Sequence, residues 1–489
     1  MAGIGFELKK MIRKGSVLMS VGGYFYAAFA SVGPLIISVV FLVLIRGVLA
    51  RMLVPIQQQN MLLAGVTYSF IGGLTISGML GMLMSRYVSD MLYTKQKQKI
   101  FASFLGGMAI CIIIAGCVGL VFMYYIALPV AIEILCYVLM LTITAMFFSM
   151  VYISAVKNYV GITLNFIFGI AIGYFLIQFL IYDLAMETIY AVLIGMDVGF
   201  LLIVCFHTIT IKRFFSTHDK SFFAFFSHIK KMPSLILINT FYMISIFAHT
   251  IIIWHTSIGF SVVENMRVAP TYDVPAFIAL LTTTPAMVMF VVKTETTFYD
   301  HYKEYMWMLD GGGSLMDLEQ AGKSLKDNMY SEIFLLMQVQ LMVSVLSVIL
   351  ARIYFSALGL SDFAFTIFAY LCFGYYCIVM VNIISSIILY FDDRRSALKI
   401  MSVLMVTQIV FVLASIRFGR GYFGLGTLVS GIITLSYSLI VLAKMVDILD
   451  YRLYCTQPIG YISDETNKKK KKSARKEKAA SQDAVKGNT

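Results

Sequence analysis

Residues 1–45 read "MAGIGFELKKMIRKGSVLMSVGGYFYAAFASVGPLIISVVFLVLI", and whether this stretch is an export signal or a membrane anchor decides the fold. Lys9, Lys10, Arg13 and Lys14 ahead of an apolar run, with Ala28-Phe29-Ala30 resembling a cleavage site, fit a signal peptide. The run does not stop there. It continues past Gly33 and Pro34 to Ile45, long enough to cross a bilayer at about 1.5 Å of rise per residue, so the stretch reads as a retained first span.

The rest of the chain follows the same pattern. Of its 489 residues 60% are hydrophobic and only 13% charged, and apolar stretches recur at membrane-spanning length. Helices without a polar face have lipid, not water, as a matching solvent, so the chain reads as an all-α polytopic membrane protein. Twelve spans are expected, near 21–45, 61–85, 100–126, 130–154, 159–181, 189–211, 233–254, 273–292, 332–354, 363–391, 397–416 and 422–444.

Basic residues orient these spans, because Lys and Arg are retained on the cytoplasmic side of short loops. With the N-terminus inside, thirty-one of the 38 fall on the inner side, six (Arg46, Arg51, Arg267, Arg352, Arg417 and Arg420) on the outer side, and Lys444 at the last boundary. That bias favours an even number of spans with both termini cytoplasmic.

From Asp464 onward nine positive and four negative charges contribute to the net charge of +12. The tail "TNKKKKKSARKEKAASQDAVKGNT" at 466–489 has no aromatic residue on which a base could stack, so it reads as a disordered segment near anionic lipid and not as a nucleic-acid site. The seven cysteines contain no CxxC pair, which argues against zinc and disulfides.

A faint internal repeat divides the chain. "FIGGLTISGMLGMLMSR" at 70–86 and "FIALLTTTPAMVMFVVK" at 277–293 align at a constant offset of 207, matching Phe70, Ile71, Leu74, Thr75 and Met82 to Phe277, Ile278, Leu281, Thr282 and Met289. Six spans apart and pointing the same way, the two segments imply two six-helix bundles around a central cleft, as in parallel-repeat transporters. The expected layout is a first bundle at 1–211 with an amphipathic N-terminal segment, a Phe-rich cytoplasmic linker at 212–232 lying in the membrane interface, a second bundle at 233–454, and the basic tail at 455–489. Within the second bundle the inner loop 293–331 reads as two amphipathic segments hinged at Gly311-Gly312-Gly313, their apolar sides set against lipid or a partner.

Catalytic signatures are lacking. Gly322-Lys323-Ser324 resembles the end of a phosphate loop, but Asp317 stands where its first glycine belongs and no strand precedes it. The six histidines are dispersed and form no HExxH, so neither enzymatic chemistry nor a metal or other cofactor is expected.

Polar groups inside the spans are the better pointers, because charge buried in lipid needs a cavity or a partner. Glu133 lies near the outer end of the fourth span. Asp197, in "GMDVG", falls well inside the sixth, where Gly195 and Gly199 let another helix approach closely. It reads either as a packing residue or as a lining or coupling group. Asn239, His249, Tyr24, Tyr26, Asn165, Gln178 and Asn382 are further pathway candidates, since amides, hydroxyls and aromatic faces suit a carbohydrate; interhelical hydrogen bonding is the competing role for each. Gly33 and Pro34 would kink the first helix, as a gate or as a static bend.

"MAGIGFELKKMI" followed by "YFYAAFASVGPLIIS" resembles the start of the PelG family of Pel exopolysaccharide transporters, and the span layout agrees along the ordered chain. The resemblance implies a MATE/flippase-like, two-bundle fold within the polysaccharide flippase and multidrug exporter superfamily. It also implies movement of a nascent hexosamine-rich polysaccharide across the cytoplasmic membrane, in company with a cytoplasmic glycosyltransferase and other membrane Pel components. Two other roles fit the residues: a scaffold that activates a polysaccharide synthase through 293–331, and an ion-coupled small-molecule antiporter.

Overall fold

The computed structural model describes residue 33 and residues 37–449, apart from 127, 155–158, 216–218, 294–296, 310–313 and 358. Among the described residues eleven helical stretches are long and apolar enough to cross a membrane. The expected first span is described only as α1, at 37–51, which runs on to Arg51 instead of ending at Ile45.

The first half continues with α2 (Ile56–Tyr93), α3 (Gln98–Tyr125), α4 (Val130–Ile153), α5 (Tyr159–Tyr182) and α6 (Thr188–Phe214), followed by the short α7 (Phe226–Lys231). The second half holds α8 (Ser234–Trp254), β1 (Phe260–Val263), β2 (Met266–Val268), α9 (Pro270–Leu281), α10 (Thr284–Lys293), α11 (Tyr299–Trp307), α12 (Leu315–Tyr354), α13 (Asp362–Tyr390), α14 (Arg394–Arg417) and α15 (Leu425–Asp447). By internal contacts, residues 1–439 form one unit and 440–489 another; of the latter, the described part is the end of α15 and residues 448–449.

Local chemistry sets the helix starts. Pro55, Pro129 and Pro233 stand immediately before α2, α4 and α8, and Pro270 opens α9, positions where a missing N–H has no cost. Ser314 and Asp317 form a capping box on α12, and the side chains of Ser361 and Asp393 cap α13 and α14.

Within the first half α4 packs on α2, α3 and α6, while α5 packs on α6; within the second, α8 packs on α14, and α13 packs on α9 and α12. Glycines allow the closest approaches. A Cβ added to Gly173 of α5 would lie 2.6 Å from the Gly195 carbonyl oxygen, and one added to Gly199 would lie 3.1 Å from the Gly169 carbonyl oxygen. The Gly195/Gly199 pair therefore does admit a second helix, and that helix is α5.

Four features differ from the sequence reading. The span expected at 273–292 is broken between α9 and α10, because Pro285 has no N–H for the Leu281 carbonyl. The Thr284 hydroxyl donates to that carbonyl at 2.6 Å, and Gln340 Nε2 donates to the Thr282 carbonyl at 2.9 Å, so the break stays satisfied within the membrane.

Second, the short loop expected after 254 contains an antiparallel hairpin, with Phe260 opposite Val268 and Ser261 opposite Arg267. Asn265 sits at its turn with φ of 64°, a backbone state that asparagine tolerates.

Third, the Phe-rich linker does not simply float on lipid: Phe215 and Phe225 are fully buried in the first-half core, although Phe223 and Phe226 stay exposed.

Fourth, the second amphipathic segment of 293–331 is the start of the 40-residue α12, and Leu318, Ala321, Leu325 and Met329 are buried within the protein, with α11 packed alongside. The glycine triplet lies outside the described residues.

Candidate functional site

The halves meet where α2 lies against α8, and the hairpin adds contacts with α2. One end of this seam carries the hairpin and the other the linker. Toward the linker end, Asn239 Nδ2 of α8 donates to the Gly78 carbonyl of α2. Gly78 has no room for a side chain: a Cβ there would meet Met243 Cγ at 2.9 Å. A side-chain amide thus bonds a backbone carbonyl left accessible by glycine.

At the hairpin end the contacts are denser. The Tyr68 ring of α2 stacks on Trp254 of α8, with centroids 4.7 Å apart. Tyr68 Oη donates to the Arg267 carbonyl at 2.9 Å and accepts from the Arg267 N–H at 3.3 Å, and Asn265 Nδ2 donates to the Tyr125 carbonyl at 2.9 Å. The Arg267 guanidinium turns back to the carbonyls of Trp254 and Gly259, each at 2.9 Å, and so caps the end of α8. Met266 is buried with Ala64 and Val268 among Tyr68, Ile126 and Leu128. The hairpin is rooted in the second half and seated on the first.

Within the second half, His249 is the centre of a buried polar cluster. Its Nδ1 and Nε2 each lie 2.8 Å from a tyrosine hydroxyl, that of Tyr272 on α9 and that of Tyr375 on α13. In the same half, Gln408 Nε2 of α14 donates to Thr427 Oγ1 of α15 at 3.0 Å. Asp273, next in sequence to Tyr272, accepts from Trp254 Nε1 at 2.9 Å and from the Ala269 N–H at 3.0 Å. The cluster joins α8, α9 and α13 and reaches, through Trp254, the stacked ring of Tyr68 at the seam.

Asp197 lies apart, in the first half. Only 7% of its surface is exposed, and among the described residues neither carboxylate oxygen has a hydrogen-bond partner. Asn165 on the neighbouring α5 likewise has a buried Nδ2 with no partner among the described residues. The structure does not bring Asp197 together with His249. Gln178 and Asn382 are half-buried, and nothing around them assigns a role. Gly33 is buried, a Cβ there lying 3.0 Å from Thr163, whereas Tyr24, Tyr26 and Pro34 lie outside the described residues. No cluster of potential metal ligands occurs among the described residues.

Tyr68, Trp254, Arg267, Tyr272 and Asp273 were not singled out by the sequence. Asp273 had a readable signal, a carboxylate at the mouth of an apolar span between Pro270 and Pro275. Tyr68 and Trp254 had none, since aromatics at membrane boundaries are ordinary anchors.

Two of the cavities among the described residues stand out. The larger, about 570 Å³, lies between α8 and α14 and is lined by Ile251, Ile252, Leu413, Ile416 and Phe423 with Arg420 among its polar residues; it is away from the α2–α8 seam. The smaller, about 60 Å³, lies on it: Gly65, Tyr68, Ser69, Phe122, Glu133 and Tyr137 are among its lining residues, together with Met266 of the hairpin. The smaller one is the more informative, because both halves contribute to it.

Solved structures share this fold at low identity. An outward-facing multidrug-resistance MATE transporter of the MOP superfamily matches with a TM-score of 0.59 at 10% identity, covering 88% of this chain and 96% of that one. A mutant of the Vibrio cholerae MATE transporter VcmN matches with a TM-score of 0.59 at 12% identity, over 88% and 97%. The MATE transporter ClbM in complex with Rb+ gives 0.55 at 13% identity, over 87% and 95%. A search among curated proteins finds no match. The fold is thus that of MATE transporters of the MOP superfamily. A family model described as "PelG: Putative exopolysaccharide Exporter (EPS-E)" matches residues 1–454. With nearly the whole apolar chain inside that match, this protein belongs to the PelG family of membrane exporters.

Proposed function

We propose that the protein moves a nascent, hexosamine-rich exopolysaccharide of the Pel type across the bacterial cytoplasmic membrane as a cytoplasmic glycosyltransferase extends it, in company with other membrane Pel components. The observation that carries this reading is the seam: the halves of a transporter fold are joined by side-chain-to-backbone hydrogen bonds at Asn239–Gly78 and Tyr68–Arg267. A path lined by amides, hydroxyls and aromatic rings suits a neutral carbohydrate, and the excess of Lys and Arg puts the linker end in the cytoplasm and the hairpin end outside. Passage is powered by an ion gradient, a partner or polymer growth, since the chain carries no intact phosphate loop.

Vesicles holding the chain and its cognate glycosyltransferase are expected to carry labelled polymer to the side opposite synthesis. Synthesis at normal rate with all polymer left on the synthetic side would defeat the proposal.

Coupling is tested separately at Asp197. Its carboxylate accepts no hydrogen bond from the described residues, so Asp197→Asn is expected to leave thermal stability equal to or above wild type while removing any dependence of transport on an imposed proton or sodium gradient. Unaltered gradient dependence in the variant would assign Asp197 to packing.

A second reading is favoured by one observation. At about 1.5 Å per residue α12 is about twice as long as a bilayer core, so its first half projects beyond the span, with α11 packed on it and Ser324 Oγ 3.3 Å from His301 Nδ1. This pair is the natural seat for the glycosyltransferase, and deleting 299–331 distinguishes a recruiting role: loss of enzyme capture with polymer passage retained separates scaffolding from transport.

A further inference from the structure

We infer that the small cavity between α2, α3 and α4 is a saccharide subsite, plugged in this structure by Met266 of the hairpin. The inference rests on the export reading and adds to it a place on the path and the residues that recognise sugar.

The cavity's composition is that of a carbohydrate site. Phe122, Tyr137 and Tyr68 offer ring faces to the C–H surface of a sugar, and Glu133, Ser69 and the Tyr137 hydroxyl offer oxygens to its hydroxyls. Glu133 stands in the first turn of α4, where the positive end of the helix dipole suits a carboxylate, and no ion pair to it occurs among the described residues. The walls are held close by glycine: a Cβ on Gly65 would overlap Cys136 Sγ at 2.5 Å, and one on Gly119 would meet the Tyr137 ring at 2.6 Å.

In the present state the hairpin occupies that site with stand-in groups. The Met266 side chain, 1% exposed, fills apolar space beside Tyr68. The backbone of Arg267 supplies an N–H and a carbonyl to the one Tyr68 hydroxyl, the donor and acceptor pair that a sugar hydroxyl would supply. The remaining space, about 60 Å³, admits a few waters and no hexose ring, so a sugar enters only as Met266 leaves. Hairpin release uncovers Tyr68 and widens the cavity together, because adjacent residues of one strand block both.

Trp254 is a built-in reporter. It stacks on Tyr68 and is one of only two tryptophans, the other being the exposed Trp307. In a Trp307→Phe protein, titration with tetra-N-acetylchitotetraose is expected to give a saturable change in tryptophan emission. Adding Met266→Ala is expected to lower the half-saturating concentration about fivefold, because the blocked population no longer competes. Glu133→Gln in that background is expected to raise it about fivefold, with Tyr137→Phe as a second variant should Glu133→Gln fail to fold.

No saturable change in the Met266→Ala protein, or half-saturation indifferent to Glu133→Gln and Tyr137→Phe alike, would overturn the subsite. The vesicle assay separates this from the parent reading: polymer passage without the tryptophan signal removes the subsite and leaves export standing, whereas the signal without passage supports a saccharide site and removes export.

Discussion

Gly173→Leu is expected to lose most of its folded, monodisperse population at temperatures where the wild type survives, with a stability loss of about 3 kcal/mol. The cause is backbone and not side chain. A Cβ at 173 lies 2.6 Å from the Gly195 carbonyl oxygen and 3.1 Å from Gly199 Cα, so no rotamer change relieves it, and α5 must move off α6. Close backbone approach is how transmembrane helices gain contact in a solvent that offers them no hydrophobic drive, so the separation loses dispersion contacts along the whole pair. Gly47→Leu is the control, since a Cβ there has nothing within 4 Å. Heating both in detergent and following the monodisperse peak on a sizing column checks the pair; equal midpoints would show that α5 and α6 are not held at glycine distance.

His249→Leu is expected to destabilise the second half and to stall transport. Removing the imidazole strands the hydroxyls of Tyr272 and Tyr375, both fully inside the protein and each using His249 as a partner at 2.8 Å. Each stranded hydroxyl costs about 1–3 kcal/mol, with membrane-protein cycles at or below the low end. His249→Gln retains a donor and an acceptor and is expected to recover part of the loss, while Tyr375→Phe, which strands one imidazole nitrogen where His249→Leu strands two hydroxyls, is expected to cost less than His249→Leu. Thermal midpoints of the three variants test the order. Equal midpoints for His249→Leu and His249→Gln would show that the ring acts by bulk alone.

Much of the architecture was legible along the chain. Prolines and Ser/Asp caps start many of the helices, and eleven described spans fall where apolar length puts them, the main departures being ends that run further, as at Tyr93 and at the start of α12. The break at Thr282 was half legible: the offset of 207 sets Pro285 against Gly78, one residue breaking its helix and the other leaving α2 continuous. Asn239 and His249 were named from their polarity, and the structure places the first on the seam and the second at the hub of a buried cluster. What polarity did not tell was the partner. Arg267 counted only as a positive charge outside the membrane, yet its guanidinium caps α8 and its backbone holds Tyr68. The Phe-rich linker carried an amphipathic signal, and a core accepts an apolar face as readily as lipid does.

The sequence by itself determined that the chain spans a membrane many times and where most of the helices start, because those outcomes depend on apolar length, caps and prolines within a few residues of one another. Only the tertiary structure decided which polar groups meet. His249 and Tyr375 are 126 residues apart, and Tyr68 and Arg267 are 199 apart. In lipid a helix can be apolar all round, so no polar stripe marks the face that a partner will cover; the choice is made by backbone approach at glycines and by the need of each buried donor for an acceptor.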